Sequence, residues 1–157
     1  NLSMIKFPIG TKGYQIDSLA RFSLWENGVD FNHGTGHGVG SFLNVHEGPQ
    51  SISKSYSNVE LQEGMIVSNE PGFYKNGEYG IRIENLVLVK KSDTKNFLDF
   101  ETLTMFPYEE NLIDKGMLNT KQKNWINNYH NTIFNNISPH ISNEERVWLR
   151  KKTFNLT

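Results

Sequence analysis

Apolar positions along this chain fall into two rhythms, helical at both ends and strand-like between. Over residues 17–28, Leu19, Phe22 and Trp25 recur at helical spacing. Asp17 or Ser18 stands where an N-cap belongs and Gly28 supplies a stop, so a short helix with that apolar stripe is expected. Residues 61–68 open on a Glu63-Gly64 turn and run into Met65-Ile66-Val67, which reads as a strand broken by Pro71-Gly72. Gly77 and Gly80 bound another turn. Residues 81–89, rich in branched aliphatics, are the clearest strand; residues 90–96 read as a polar loop and residues 100–106 as one more strand. Successive strands with short turns predict antiparallel pairing.

The last third returns to helical spacing. Thr120 can cap a helix carrying Trp125, Ile126, Tyr129, Ile133 and Phe134, ended by Ser138-Pro139. Ser142-Asn143-Glu144-Glu145 is a capping box opening a final helix with Val147, Trp148 and a basic end at Arg150, Lys151 and Lys152. The expected organisation is therefore α+β, with residues 1–110 carrying the sheet. Residues 111–157 form a helical extension that packs on the core or on a partner subunit, which allows a homodimer.

Composition narrows the function classes. The chain has 157 residues, 36% hydrophobic and 12% aromatic, enough for a buried core. Its net charge is -1 with no basic block, which argues against nucleic acid or an anionic membrane as main partner. No run approaches the roughly 18 apolar residues of a membrane span. Cysteine is absent, which removes disulfides and thiolate metal sites and fits a cytoplasmic protein. The start, Asn1-Leu2-Ser3-Met4, has neither an initiator Met nor a signal-peptide pattern, so the chain is expected to be a piece of something longer.

The candidate chemistry lies in His33-Gly34-Thr35-Gly36-His37-Gly38-Val39-Gly40 and the following Val45-His46-Glu47-Gly48-Pro49. Three of the five histidines fall here, and imidazole is the side chain most often used for metal or proton chemistry near neutral pH. Read as extended chain, the segment puts four glycines on one face and His33 and His37 on the other. The two histidines would then stand roughly 13 Å apart, too far to share one metal with bonds of about 2 Å. One is left for metal and the other for substrate. A phosphate cradle would want a preceding strand, a following helix and usually a lysine, none of which is evident. His130 and His140, isolated in the helical tail, read as structural.

Two carboxylates stand in equally marked settings. Glu70 precedes Pro71, which biases it toward extended backbone. Glu84 lies inside the apolar strand, on the same alternating face as Arg82 and Leu86. A carboxylate buried there needs Arg82 or a metal as partner, and imidazole with carboxylate suits manganese, cobalt, zinc or iron.

Taken together, His33-Gly-Thr-Gly-His37-Gly-Val-Gly, Val45-His46-Glu-Gly-Pro49, Glu63-Gly-Met-Ile-Val-Ser-Asn-Glu70-Pro-Gly and Gly80-Ile-Arg-Ile-Glu84-Asn85 resemble the pita-bread (creatinase/aminopeptidase) metallopeptidases. Within these the chain is most similar to the cytosolic aminopeptidase P type, the Xaa-Pro aminopeptidases. The likeness runs from about Phe7-Pro8 to Trp125-Ile126-Asn127-Asn128-Tyr129-His130.

The resemblance implies the C-terminal part of a pita-bread catalytic domain, with an antiparallel sheet and flanking helices. It also implies two divalent metal ions, usually manganese, with zinc or cobalt as alternatives, and removal of the N-terminal residue from peptides with proline in second position. The attacking group would be a metal-bridging hydroxide. Carried over by position, His37, Glu70 and Glu84 would be metal ligands, Glu70 also taking the hydroxide's proton. His46 would stabilise the tetrahedral intermediate, His33 would stand at the mouth of the site, and Arg82 would help fix metals and substrate. Two further aspartate ligands belong to an upstream strand with no match here; Asp17 reads as a helix cap and Asp30 as a loop residue. The fragment alone would then be inactive. Methionine aminopeptidase, Xaa-Pro dipeptidase and a non-catalytic binding module are the competing readings.

Overall fold

The structure, a computed structural model, describes residues 1–42 and 44–157. Two compact units follow one another, residues 1–104 and residues 105–157. In chain order the first unit contains β1 (Lys6–Pro8), α1 (Gly13–Trp25), β2 (Gly36–His37), β3 (Ser51–Ile52), β4 (Ile66–Asn69), β5 (Gly72–Lys75), β6 (Tyr79–Arg82), β7 (Asn85–Lys91) and β8 (Phe97–Thr102). A four-stranded sheet runs in the order β1-β8-β7-β4, and β2-β3 and β5-β6 form two smaller ladders. Every pairing is antiparallel, as the short turns predict. In β7, Val87 and Val89 point into a core with Phe7, Ile16, Ile52, Leu61, Val67, Leu98 and Phe100, the period of two expected of a half-buried strand.

The strand expected over residues 81–89 is two strands in two sheets. β6 ends at Arg82 and pairs with β5; β7 begins at Asn85 and pairs with β4 and β8. The facing chain breaks at the same level, between Asn69 and Gly72. Pro71 has no N–H to continue a ladder, and the Glu70 N–H turns aside to donate to the Thr35 carbonyl at 2.7 Å. Alternation across residues 82–86 is interrupted by that joint. The last strand also shifts: it covers Phe97–Thr102 rather than residues 100–106, and Lys90 and Lys91 belong to β7 instead of the polar loop.

Helix α1 departs from its expected form in start and in face. It begins at Gly13, where the Lys12 N–H donates to Gln15 Oε1 at 2.7 Å, and not at Asp17 or Ser18. A Cβ at Gly13 would lie 1.7 Å from the Ser51 carbonyl oxygen, so only glycine lets the helix start this close to β3. Leu19, Phe22 and Trp25 are 40%, 55% and 47% exposed. The inward face carries Ile16 together with the buried Asp17 and Arg21. An apolar count overlooks an inward face built from charges that satisfy each other.

That buried pair anchors the segment expected to carry the histidines. Arg21 is fully buried. Its Nε donates to Asp17 Oδ2 at 2.7 Å, Nη1 to Asp30 Oδ1 at 2.7 Å and to the Phe31 carbonyl at 2.7 Å, and Nη2 to the His33 carbonyl at 2.8 Å. Asp17 Oδ1 accepts from Thr35 Oγ1 at 2.6 Å. Asp17 is thus a buried ion-pair partner and no helix cap. With Phe31 and His33 pinned by their carbonyls, the chain bends through residues 32–33 and only Gly36–His37 joins a ladder, a shorter extended run than residues 33–41. Burial alone would lower the Arg21 pKa, but the hydrogen bonds it donates to both aspartates hold it above its ordinary value. Burial likewise opposes ionisation of Asp30, yet its bonds from Lys54 and Arg21 hold its carboxyl far below the usual carboxylate range.

The strand β2 lies against β4. Gly38 bridges Val67, the Val39 N–H donates to the Ile66 carbonyl at 3.1 Å, and a Cβ at Gly36 would lie 1.8 Å from the Ser68 carbonyl oxygen. The glycine face expected from the alternation is real at this contact.

The second unit contains α2 (Thr120–Ile137) and α3 (Asn143–Lys152). The cap of α2 is Asn119, not Thr120: its Oδ1 accepts from the Gln122 N–H at 3.0 Å and Gln122 returns to the Asn119 N–H at 2.9 Å. The Ser142–Glu145 capping box of α3 forms as expected. Tyr129, Ile133 and Leu149 make the core of this unit, with Trp125 and Phe134 packed against it, whereas Val147 and Trp148 are exposed. His130 is buried and structural; Nδ1–H donates to the Phe154 carbonyl at 2.9 Å and Nε2 accepts from the Tyr108 N–H at 3.2 Å.

Two predictions follow from this framework. Gly36→Ala has no space for its methyl and is expected to cost about 1–3 kcal/mol or more in urea unfolding; an unchanged midpoint contradicts the close approach. Asp30 has a lower pKa folded than unfolded, so its stabilisation is present above about pH 3.9 and is lost as the pH falls toward the native value. Asp30→Asn should therefore be less stable than wild type at pH 7, with the gap closing on acidification. A gap independent of pH from 7 down to 2 contradicts this.

Candidate metal centre

The joint between the two ladders brings the expected donors together. The β4–β7 register pairs Asn69 with Asn85, and the β5–β6 register pairs Gly72 with Arg82. Carried through the break without slippage, that register sets Glu70 opposite Glu84. Like charges directly opposite one another are destabilising in an antiparallel pair unless something positive stands between them. Donor atoms of His37, Glu70 and Glu84 all lie within 4.8 Å of one another.

Each donor is held by its neighbours. The Ser68 hydroxyl donates to Glu70 Oε1 at 2.9 Å and itself accepts from the His37 N–H at 2.9 Å, coupling β4 to β2. Arg82 Nη1 lies 3.3 Å from Glu70 Oε2. His37 Nδ1 meets the Gly38 carbonyl at 3.0 Å; a carbonyl can only accept, so Nδ1 carries the proton in that bond. The other nitrogen, Nε2, is 3.2 Å from Glu70 Oε1. In the neutral ring Nε2 and the carboxylate are both acceptors, an arrangement that fits a cation bound between them. One imidazole and two carboxylates without sulfur suit a divalent ion of the manganese, cobalt or zinc kind. The residues present fit a metal.

The remaining candidates surround this group. The His46 ring is 4.1 Å from the His37 ring, centroid to centroid. His33 Nδ1 donates to the Gly34 carbonyl at 2.8 Å, leaving Nε2 to accept from the Tyr74 hydroxyl at 2.8 Å. The Tyr74 oxygen in turn accepts from Arg82 Nε at 2.9 Å. A directed chain therefore runs Arg82 to Tyr74 to His33, with Arg82 also facing Glu70. The Tyr74 bond, and beyond it the negative field of Glu70 and Glu84, raises the Arg82 pKa above its ordinary value against a lesser burial effect.

All six sequence-derived residues, His33, His37, His46, Glu70, Arg82 and Glu84, thus converge directly or through Tyr74. Tyr74 is the member that sequence reasoning missed. It stands four positions after Glu70 on the hairpin that follows Pro71, but nothing in its local pattern sets it apart from other strand tyrosines. Asp17 and Asp30 lie in the Arg21 cluster, where their oxygens are occupied by Arg21, Thr35 and Lys54.

Comparison with known proteins gives this geometry a family. Residues 1–91 match the model of metallopeptidase family M24, and residues 96–156 match the C-terminal region of peptidase_M24. A probable Xaa-Pro aminopeptidase P of Coprinopsis cinerea is 51% identical over 94% of this chain, which corresponds to 25% of that relative. The chain spans about a quarter of the length of the curated relatives it matches. Among solved structures, the X-prolyl aminopeptidase of Caenorhabditis elegans, described as a cytosolic enzyme with a di-nuclear active site, superposes over 99% of this chain and 26% of its own at a TM-score of 0.92 and 39% identity. An Xaa-Pro dipeptidase from Bacillus anthracis covers 69% of this chain and 28% of its own at a TM-score of 0.55 and 34% identity. The α+β, pita-bread architecture expected from the motifs is the one found. Among the described residues no helix is long and apolar enough to cross a membrane. With the match running through the glycine-histidine segment, both glutamates and the joint that opposes them, the chain belongs to metallopeptidase family M24.

Proposed function

We propose that this chain is the C-terminal part of the catalytic domain of a cytoplasmic Xaa-Pro aminopeptidase, and that it contributes one wall of a two-metal site. The observation that carries the proposal is the convergence of His37, Glu70 and Glu84 across a break that opposes two carboxylates. The likeness to the worm X-prolyl aminopeptidase, which extends over nearly the whole chain and not two thirds of it, favours this over the dipeptidase reading.

His37, Glu70 and Glu84 would hold divalent ions, manganese for preference, together with two aspartates supplied by a part of the protein upstream of these residues. Bound there, such ions polarise the carbonyl before proline and acidify water. The chain's own groups do the rest. Glu70, oriented by Ser68 and Arg82, takes the proton of the attacking water on a carboxylate oxygen. His46 donates a hydrogen bond to the carbonyl oxygen as it gains negative charge. His33 and Arg82, joined through Tyr74, line the approach of the peptide and fix its orientation.

The test is hydrolysis by the full-length protein. It should release the first residue from Xaa-Pro-Xaa peptides, lose activity on chelation and regain it with manganese, cobalt or zinc. Cleavage confined to Met-initiated peptides or to Xaa-Pro dipeptides would overturn the assignment. Glu70→Gln is expected to lower kcat about 10²–10⁴-fold; a loss of less than about tenfold would remove Glu70 from proton transfer. The 157 residues alone should bind metal weakly and turn over little, and robust activity from them would contradict a divided ligand set.

A further inference from the structure

The Arg21 cluster lies outside the donor group, and none of its side chains is used by the chemistry above. Its composition calls for a reason. A buried ion pair is often no more stabilising than apolar side chains of the same size, because desolvation offsets the attraction. What the pair supplies here is geometry. Arg21 places five hydrogen bonds: Nε and Nη2 to Asp17, Nη1 to Asp30 and to the Phe31 carbonyl, and Nη2 to the His33 carbonyl. The guanidinium also stacks 3.7 Å over the Phe31 ring, and that ring lies 4.8 Å from the His33 ring. His33 is therefore held through its own carbonyl and through the contact of its ring with Phe31. On the other side Asp17 accepts from Thr35 Oγ1, and the Thr35 carbonyl accepts from the Glu70 N–H.

We propose that the buried Asp17–Arg21 pair is a positioning device for the substrate side of the site, fixing the 31–35 backbone so that the His33 imidazole meets Tyr74. Arginine is required because its rigid fork reaches two carboxylates and two carbonyls at once; lysine keeps the charge but not the fork. Both residues are positioning residues that touch neither substrate nor metal. This rests on the reading of His33 as a residue on the peptide's approach.

The test uses the full-length protein with Arg21→Lys, Thr35→Val, His33→Ala and Arg21→Lys combined with His33→Ala. Arg21→Lys is expected to retain metal and to lower kcat/KM on an Xaa-Pro-Xaa peptide about 10–100-fold, mostly through KM. In the His33→Ala background it should cost much less, since only the path through Asp17, Thr35 and the Glu70 N–H then remains. Imidazole nitrogen resonances of metal-free protein should show the Tyr74–His33 hydrogen bond weakened. An unchanged His33 resonance, or an equal loss with and without His33, would overturn the proposal and leave the pair merely structural. Where Arg21→Lys does not fold, Thr35→Val removes a single donor to Asp17 and is held to the same His33 resonance. If wild-type protein cleaves no Xaa-Pro peptide, the peptidase reading fails, while the resonance still decides the positioning role.

Discussion

The stretch from Phe31 to Thr35, which carries His33 and meets Glu70, hangs on one buried guanidinium. A charge removed from water is tolerated only when its donors are satisfied, and Arg21 meets that condition by gathering partners from four places: Asp17, Asp30 and the carbonyls of Phe31 and His33. The requirement works in both directions. Satisfying Arg21 forces the chain after α1 to bend back onto the helix, and the bend delivers Thr35 to the point where its carbonyl can take the Glu70 N–H. Without that acceptor the N–H before Pro71 would be an unpaired backbone donor beside a broken ladder.

A second constraint is the joint itself. Two ladders that share a register but not a continuous strand leave Glu70 and Glu84 facing each other, with Arg82 beside them. For stability alone this is a poor arrangement, two carboxylates and an imidazole nitrogen competing for the same positive charge. Such local conflict, held in place by a well-satisfied surround, is what a metal centre looks like before its ions are counted. Gly13 and Gly36 serve the same end by letting helix and strand backbones close to distances no side chain permits.

Much of this was legible in the sequence, and the failures have physical causes. The α+β class, the antiparallel order and the α3 capping box follow from alternation and turn chemistry, and the grouping of His37, Glu70 and Glu84 follows from the family resemblance of their motifs. Leu19, Phe22 and Trp25 misled because periodicity scores only apolar side chains, whereas α1 turns Asp17 and Arg21 inward. Residues 81–89 read as one strand because the break is imposed from across the ladder by Pro71 and by the turned-aside Glu70 N–H. Tyr74 was invisible because its significance lies in two partners, His33 and Arg82, distant by 41 and 8 residues.

The central claim is that His37, Glu70 and Glu84 together grip metal. Anomalous diffraction at the manganese edge, on crystals of the full-length protein grown with manganese, measures this directly. Anomalous density is expected bonded to His37 Nε2 and to carboxylate oxygens of both Glu70 and Glu84. Density that touches none of the three, or that sits instead on Asp17 and Asp30, would contradict it.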